Sequence, residues 1–177
     1  MQRADGIVIA LADGAGGTGN GDVAAQAVID AVAAAPTSTA WAALLAELDR
    51  EPARLGCGQT TAVIVAVTAS GLVVTSVGDS GAWIVRGTTL EDLTADQSRK
   101  PLVGSGCAPF TVHAGPLAGG TLLVASDGLL KYAKPRDIAL ALAGDDLAVV
   151  ARALVDLVRL PSGALQDDVA LVLCREA

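Results

Sequence analysis

The sequence predicts an α+β domain because of the order of its elements and the apolar character of the chain. Residues 6–12 form an apolar run typical of a buried strand. Apolar residues then recur at helical spacing over residues 22–35, and Pro36 ends that helix. Residues 37–50 carry a second helical pattern. Of the 177 residues 52% are hydrophobic, and no linker or repeat divides them, so we expect a single domain over residues 1–177.

The middle of the chain changes to β-branched runs, and its end returns to helices. Residues 60–69 and 72–77 are joined at Ser70-Gly71, which predicts a hairpin. The other predicted elements are strands over residues 82–85, 121–126 and 169–174, a helix beginning at Pro135 and a helix from Asp145-Asp146 to about residue 160. Residues 94–109 are polar and rich in Gly and Pro, which predicts a loop. Consecutive strands favour antiparallel pairing over crossover connections.

Composition and charge exclude several classes of function. The net charge is −7 and aromatic residues make up 2% of the chain, so a nucleic-acid-binding surface of basic and stacking side chains is not expected. No apolar run is long enough to span a membrane, and no signal peptide begins the chain. Three widely spaced cysteines without a CxxC motif suit core packing and a cytoplasmic location. The Ala-rich segment of residues 22–35 suits packing in a dimer as well as in the core.

Acidic residues stand at the ends of four apolar strands. They are Asp13, Asp79, Asp127 and the pair Asp167-Asp168. Carboxylates that converge in this way repel one another unless a cation lies between them, and oxygen ligands suit Mg²⁺ or Mn²⁺. A single Asp-Gly step is more often a turn than a ligand, so the repetition carries the prediction. Asp79 suits a structural role as well as a functional one, and Asp168 would cap the last strand or orient Asp167.

A glycine-rich motif offers an alternative. Residues 14–19 match GxGxxG between a predicted strand and a predicted helix, as in a dinucleotide-binding loop. Asp13 would, however, point its charge at a bound pyrophosphate. The element after the first helix is a second helix, so no strand follows to supply a ribose-binding acid. An oxidoreductase with a nicotinamide cofactor is therefore the weaker interpretation.

Six segments in order resemble the metal-dependent protein phosphatase family, also called PPM or type-2C serine/threonine phosphatases. They are residues 11–17 (LADGAGG), 58–62 (GQTTA), 76–80 (SVGDS), 96–98 (DQS), 123–129 (LVASDGL) and 166–171 (QDDVAL). The resemblance implies an α-β-β-α sandwich of two antiparallel sheets flanked by helices, with a binuclear metal site at one edge. The implied reaction is hydrolysis of phosphoserine or phosphothreonine in a phosphorylated protein substrate, by attack of a metal-activated water.

The resemblance also assigns ligands to two Mn²⁺ or Mg²⁺ ions. Asp13 would bridge both ions and the Gly14 carbonyl would bind one, while Asp127 and Asp167 would complete the ligation of the other. Asp79 would help Asp127 to hold a third, weaker ion.

The chain departs from the family pattern at several positions. The family's first strand, with its acidic motif and its phosphate-binding arginine, is not expected, because only 12 residues precede Asp13 and Asp5-Gly6 resembles the turn that follows that strand. Arg3 is a poor substitute for the arginine. Ala15 replaces a frequent histidine, Gly81 replaces the arginine of the GDSR turn, and the flap between residues 93 and 121 is short. These departures leave a second hypothesis, a catalytically impaired regulatory or binding module of the same fold.

Overall fold

Two antiparallel sheets make up the centre of the molecule. The structure is a computed structural model that describes residues 1–17 and 19–176; Thr18, within the glycine-rich motif, lies outside the described residues. The first sheet has the strand order β1-β2-β3-β4-β7 and the second β6-β5-β8-β9. The strands are β1 (Gln2–Arg3), β2 (Gly6–Leu11), β3 (Ala62–Thr68), β4 (Gly71–Val77), β5 (Gly81–Arg86), β6 (Thr89–Asp92), β7 (Phe110–Ala114), β8 (Thr121–Ala125) and β9 (Leu171–Arg175). Every pairing is antiparallel.

Five helices lie on the outer faces of the two sheets in the described chain. They are α1 (Gly21–Ala34), α2 (Trp41–Asp49), α3 (Asp127–Leu130), α4 (Pro135–Ala141) and α5 (Leu147–Asp156). Helices α1 and α2 pack on the first sheet, while α3, α4 and α5 pack on the second. The predicted α-β-β-α sandwich is therefore confirmed.

Alternation along β3 shows how the sequence builds these layers. Val63 and Val65 point between the sheets, where they meet Ile84 and Val124 of the second sheet. Ile64, on the opposite face of β3, packs beneath α1 and α2. Both faces of the strand are buried, which explains why its sequence is continuously apolar rather than alternating.

Most predicted elements are observed, with ends that differ by a few residues. The hairpin at Ser70-Gly71 joins β3 to β4, and Pro135 begins α4. The carboxylate of Asp146 accepts hydrogen bonds from the N–H groups of Ala148 and Val149, so the predicted cap of α5 is confirmed. The dinucleotide-binding interpretation finds no support, because α2 follows α1 directly and both sheets are antiparallel.

The N-terminus corrects one expectation. A first strand was not expected, but β1 pairs with β2 across a turn before Gly6. The guanidinium of Arg3 donates hydrogen bonds to the carbonyls of Val32 at 2.9 Å and Ala33 at 3.2 Å. Arg3 therefore caps the C-terminal end of α1, where a cation complements the free carbonyl groups.

No helix in the described part of the chain has the length and apolar character needed to cross a membrane.

Candidate metal centre

The register of the strands brings the predicted acidic residues to one edge of the sandwich. In the first sheet Leu11 pairs with Val63 and Ala62 with Val77, so Asp13 and Asp79 emerge at the same end. In the second sheet Ala125 pairs with both Gly81 and Leu171, so the segments that carry Asp127 and Asp167 emerge together. Residues 78–80 join β4 to β5 and place the two ends side by side.

The backbone of Asp13 is held by two threonines at the start of β3. Its N–H donates to the hydroxyl of Thr61 at 3.1 Å. Its carbonyl accepts from the Thr60 hydroxyl and from the Thr61 N–H, both at 2.9 Å. The Thr61 hydroxyl also lies 2.8 Å from the buried hydroxyl of Ser80. This network ties Asp13 to the residues just before β3 and, through Ser80, to the turn that carries Asp79, which gives the polar residues of the GQTTA and SVGDS segments a structural role.

Gly14 is required by a close approach between two backbones. A Cβ at this position would lie 2.4 Å from the carbonyl carbon and oxygen of Gly21, at the start of α1. Neither group can move without shifting the helix, so only glycine fits.

Ser126 joins the two acidic segments of the second sheet. Its hydroxyl accepts a hydrogen bond from the Ala170 N–H at 3.0 Å and donates one to the Asp168 carbonyl at 3.3 Å. A Cβ at Gly128 would lie 2.1 Å from that same carbonyl oxygen. The glycine after Asp127 therefore lets the segment before β9 pass over the start of α3.

The carboxylates lie close enough to alter one another's protonation. Burial raises the pKa of Asp13 to about 6, and the negative charges of Asp127, Asp167, Asp79 and Asp168 add to the effect. All five predicted acidic residues therefore act on a common region.

The pKa of Asp127 is raised for the same reasons. Burial raises its pKa above the ordinary value, as do the charges of Asp79 and Asp167, and Lys131 partly offsets them. Asp168 turns its backbone rather than its side chain to Asp167, whose carboxylate accepts from the Asp168 N–H at 3.0 Å. This bond uses only the backbone of residue 168, so the role of the Asp168 carboxylate stays a prediction.

The carboxylates share a region without converging on one point. In the described part of the chain, no group of three or more His, Cys, Asp or Glu side chains is arranged to hold a metal ion as it stands. The chemistry of the donor set nevertheless fits Mg²⁺ or Mn²⁺, because the acidic side chains offer only hard oxygen ligands and their mutual repulsion favours a cation.

Two cations near this edge were not singled out by the sequence. Lys131 lies four residues after Asp127, and the backbone N–H of Lys131 donates to the Asp127 carbonyl at 2.9 Å. Lys131 and Arg99 line a cavity of about 430 Å³ together with Asp79 and Asp127. The helical spacing of Lys131 from Asp127 was a readable signal, whereas no pattern marked Arg99.

Comparisons with known proteins place the fold. No family model matches the chain, and no curated protein matches it. Among solved structures, the S. agalactiae serine/threonine phosphatase is 23% identical with a TM-score of 0.80, and the match covers 96% of this chain and 87% of that one. The Mycobacterium tuberculosis serine/threonine phosphatase PstP/Ppp is 22% identical with a TM-score of 0.76, over 98% of this chain and 93% of that one.

A third solved structure is the catalytic domain of the serine/threonine protein phosphatase PstP in complex with two manganese ions. It is 23% identical with a TM-score of 0.72, over 98% of this chain and 92% of that one. The strand order, the flanking helices and these matches agree, and the chain has the fold of the PPM-type serine/threonine phosphatases.

Proposed function

We propose that this chain is a metal-dependent phosphatase that hydrolyses phosphoserine and phosphothreonine in proteins. The observation that carries the proposal is the gathering of Asp13, Asp79, Asp127 and Asp167 at one edge of a fold shared with serine/threonine phosphatases. A fold alone does not fix a function, so the chemistry of this edge is the argument.

The same residues would hold two Mn²⁺ or Mg²⁺ ions. Asp13, on the first sheet, would bridge them with the Gly14 carbonyl as a further ligand, and Asp127 and Asp167 would complete the set from the second sheet. Asp79 would contribute to a third ion beside Asp127. The PstP catalytic domain with two manganese ions supports this choice of metal.

The ions, when bound, would lower the pKa of a coordinated water and neutralise the charge of the phosphoryl group. The chain's own residues would position the ligands. The Thr60 and Thr61 hydroxyl groups hold the Asp13 backbone, and the Ser126 hydroxyl holds the segment that carries Asp167. These bonds fix the ligand-bearing segments before any metal arrives, which reduces the reorganisation needed on binding.

A regulatory or binding module of the same fold is the second candidate. The observation that favours it concerns Arg3, whose guanidinium is bonded to the end of α1 and does not reach the carboxylates. Ala15 offers no side chain for acid catalysis. If the chain is an enzyme, cations other than Arg3 would have to bind the substrate phosphate.

The test is hydrolysis of p-nitrophenyl phosphate and of a phosphoserine peptide with and without Mn²⁺, combined with calorimetric titration of the metal. We expect turnover that requires Mn²⁺ and that the Asp13→Asn variant lacks, while Asp5→Asn, an exposed turn residue on the same sheet, retains it. Metal binding without turnover would favour the regulatory module. A protein that neither binds Mn²⁺ nor hydrolyses either substrate would refute the metal site and, with it, the proposed phosphatase.

A further inference from the structure

The cavity beside the carboxylates opens directly onto the proposed metal site. Asp79 and Asp127 form part of its wall. The rest of the wall comes from the start of β5, from the segment that follows β6, and from the end of α3. A group bound in this cavity would lie next to a phosphoryl group held by metal ions at Asp127.

Gly81 packs closely against the wall of the cavity. A Cβ at this position would lie 2.9 Å from both the Leu130 Cδ1 and the Thr94 Oγ1, and 3.7 Å from the Trp83 Nε1. Any side chain at residue 81 would therefore enter the cavity or push its wall outward. The cavity wall is closely packed at residue 81, and the shape of the cavity depends on a glycine at the turn after Asp79.

Two exposed cations stand at the cavity, and the backbone holds both in place. The segment that leads to Arg99 is fastened to β5 and to the turn before it. The Ala82 N–H donates to the Thr94 hydroxyl at 3.2 Å, and the Gln97 side-chain amide donates to the Ser80 carbonyl at 2.6 Å. Lys131 ends α3 one turn after Asp127. Within the described residues neither cation is in an ion pair.

The negative charges on the cavity wall already have partners or an assigned role. The Asp92 carboxylate accepts hydrogen bonds from the N–H and the hydroxyl of Thr94, both at 2.8 Å. Asp79 and Asp127 belong to the proposed metal site. Once metal ions balance those two, the wall keeps the positive charges of Arg99 and Lys131 and the single negative charge of Asp92, so cations outnumber carboxylates there.

We propose that this cavity binds the residues that flank the phosphorylated side chain of the substrate, and that Arg99 and Lys131 make it select acidic flanking residues. The inference rests on the proposed function and specifies its substrate class. The two cations would each form a solvent-exposed pair with a substrate carboxylate, and such pairs are individually weak and sensitive to salt. Two of them acting together correspond to a preference of about tenfold.

The experiment compares peptides that differ only in the residues beside phosphoserine, which are Ala in one and Asp in the other. We measure kcat/KM with Mn²⁺ for both peptides, and fluorescence anisotropy with analogues in which a non-hydrolysable phosphonate replaces the phosphate. The wild-type protein should favour the acidic peptide about tenfold. The Arg99→Ala/Lys131→Ala variant should reduce that ratio to below about twofold, and raising NaCl from 50 to 500 mM should reduce it in the wild-type protein.

The matched control is Lys134→Ala/Arg152→Ala, which removes the same charge from exposed positions outside the cavity. It should keep the wild-type ratio. A wild-type ratio near one, a ratio that survives the loss of Arg99 and Lys131, or an equal loss in the control would overturn the inference. Hydrolysis of p-nitrophenyl phosphate tests the proposed function separately, because the anisotropy ratio reports peptide preference even in a protein without turnover.

Discussion

Removing the charge of Asp13 should stabilise the metal-free protein and abolish its stabilisation by Mn²⁺. Asp13 is half-buried, and without metal its carboxylate faces the charges of Asp127, Asp167, Asp79 and Asp168. The Asp13→Asn substitution keeps the shape and the backbone bonds but removes this repulsion. A residue retained for a metal ion is thus expected to destabilise the fold when no ion is present.

The magnitude follows from the change in pKa between the unfolded and folded protein. A rise in the pKa of Asp13 from 3.8 to about 6 corresponds to at most about 3 kcal/mol of lost stability. The side chain is partly exposed, and solvent screening reduces this to about 1–2 kcal/mol. For a domain of this size each kcal/mol shifts Tm by about 2–4 °C, so Asp13→Asn should raise Tm by roughly 2–8 °C.

The pH dependence has a definite sign. The folded protein holds the Asp13 proton more tightly than the unfolded chain, so stability falls as the pH rises from about 4 to about 6, and the cost is complete above pH 6. The advantage of Asp13→Asn should therefore be full at pH 7.5 and should shrink as the pH is lowered toward 4.

The assay is thermal unfolding followed by circular dichroism, first in EDTA and then in Mn²⁺. At a metal concentration of about 100 times Kd, the wild-type protein should gain about 2.7 kcal/mol while Asp13→Asn gains nothing, so the order of the two Tm values reverses. Asp5→Asn, in an exposed turn, is the control that should follow the wild-type protein in both buffers. An Asp13→Asn variant with a lower Tm in EDTA, or with full Mn²⁺ stabilisation, would refute this reasoning.

Two further predictions concern hydrogen bonds that hold loop segments in place, one beside the carboxylates and one elsewhere. Thr61→Val removes the hydroxyl that accepts from the Asp13 N–H and contacts the Ser80 hydroxyl. The substitution should lower the free energy of unfolding in urea by about 1–3 kcal/mol and should weaken Mn²⁺ binding in calorimetry. Unchanged values of both would show that the network is dispensable. Burial alone would raise the pKa of Asp49, but hydrogen bonds from the backbone of residues 104–107 lower it below its ordinary value. Asp49→Asn should therefore cost about 1–3 kcal/mol at pH 7, and this loss should shrink as the pH falls below about 4 and through the lowered pKa of the folded protein. A loss that stays constant from pH 7 to the lowest pH at which the protein remains folded would assign the effect to packing.

The long apolar elements could be predicted because their patterns are strong. The β3–β4 hairpin has continuous β-branched runs and a Ser-Gly turn, and α4 and α5 have a proline start and an aspartate cap. The missed elements have weak local signals. β6 has one half-buried residue among exposed ones, β7 is an edge strand, and β1 has two residues. Pairing with a neighbouring strand creates these elements, and a single sequence does not display that pairing.

The candidate site also has a part that could be predicted from the sequence and a part that could not. The acidic residues at strand ends were visible in the sequence, because Asp-Gly steps after apolar runs repeat along the chain. Their meeting was implied only by family resemblance, since the register of two sheets decides it. Arg99 could not be predicted, because its position depends on bonds that the side chains of Thr94 and Gln97 make to β5 and to the turn before it. The role of Arg3 at the end of α1 likewise depends on a contact between residues 29 positions apart.

The carboxylates are divided between the two sheets, and buried hydroxyl groups hold the segments that carry them. Asp13 and Asp79 follow strands of the first sheet, whereas Asp127 and Asp167 flank strands of the second, so their repulsion acts to separate the sheets at this edge. Four residues that are at least 95% buried hold the segments at this edge: Thr60, Thr61, Ser80 and Ser126. Thr60 and Thr61 bind the Asp13 backbone in the first sheet, Ser126 binds the segment before β9 in the second, and the Thr61–Ser80 contact reaches the turn that joins the two sheets. These hydroxyl groups bind backbone and one another, and carry no charge that would compete with a cation. A metal ion between the sheets would replace repulsion by attraction across this edge, and for that reason metal binding and folding stability should rise and fall together in variants of these four residues.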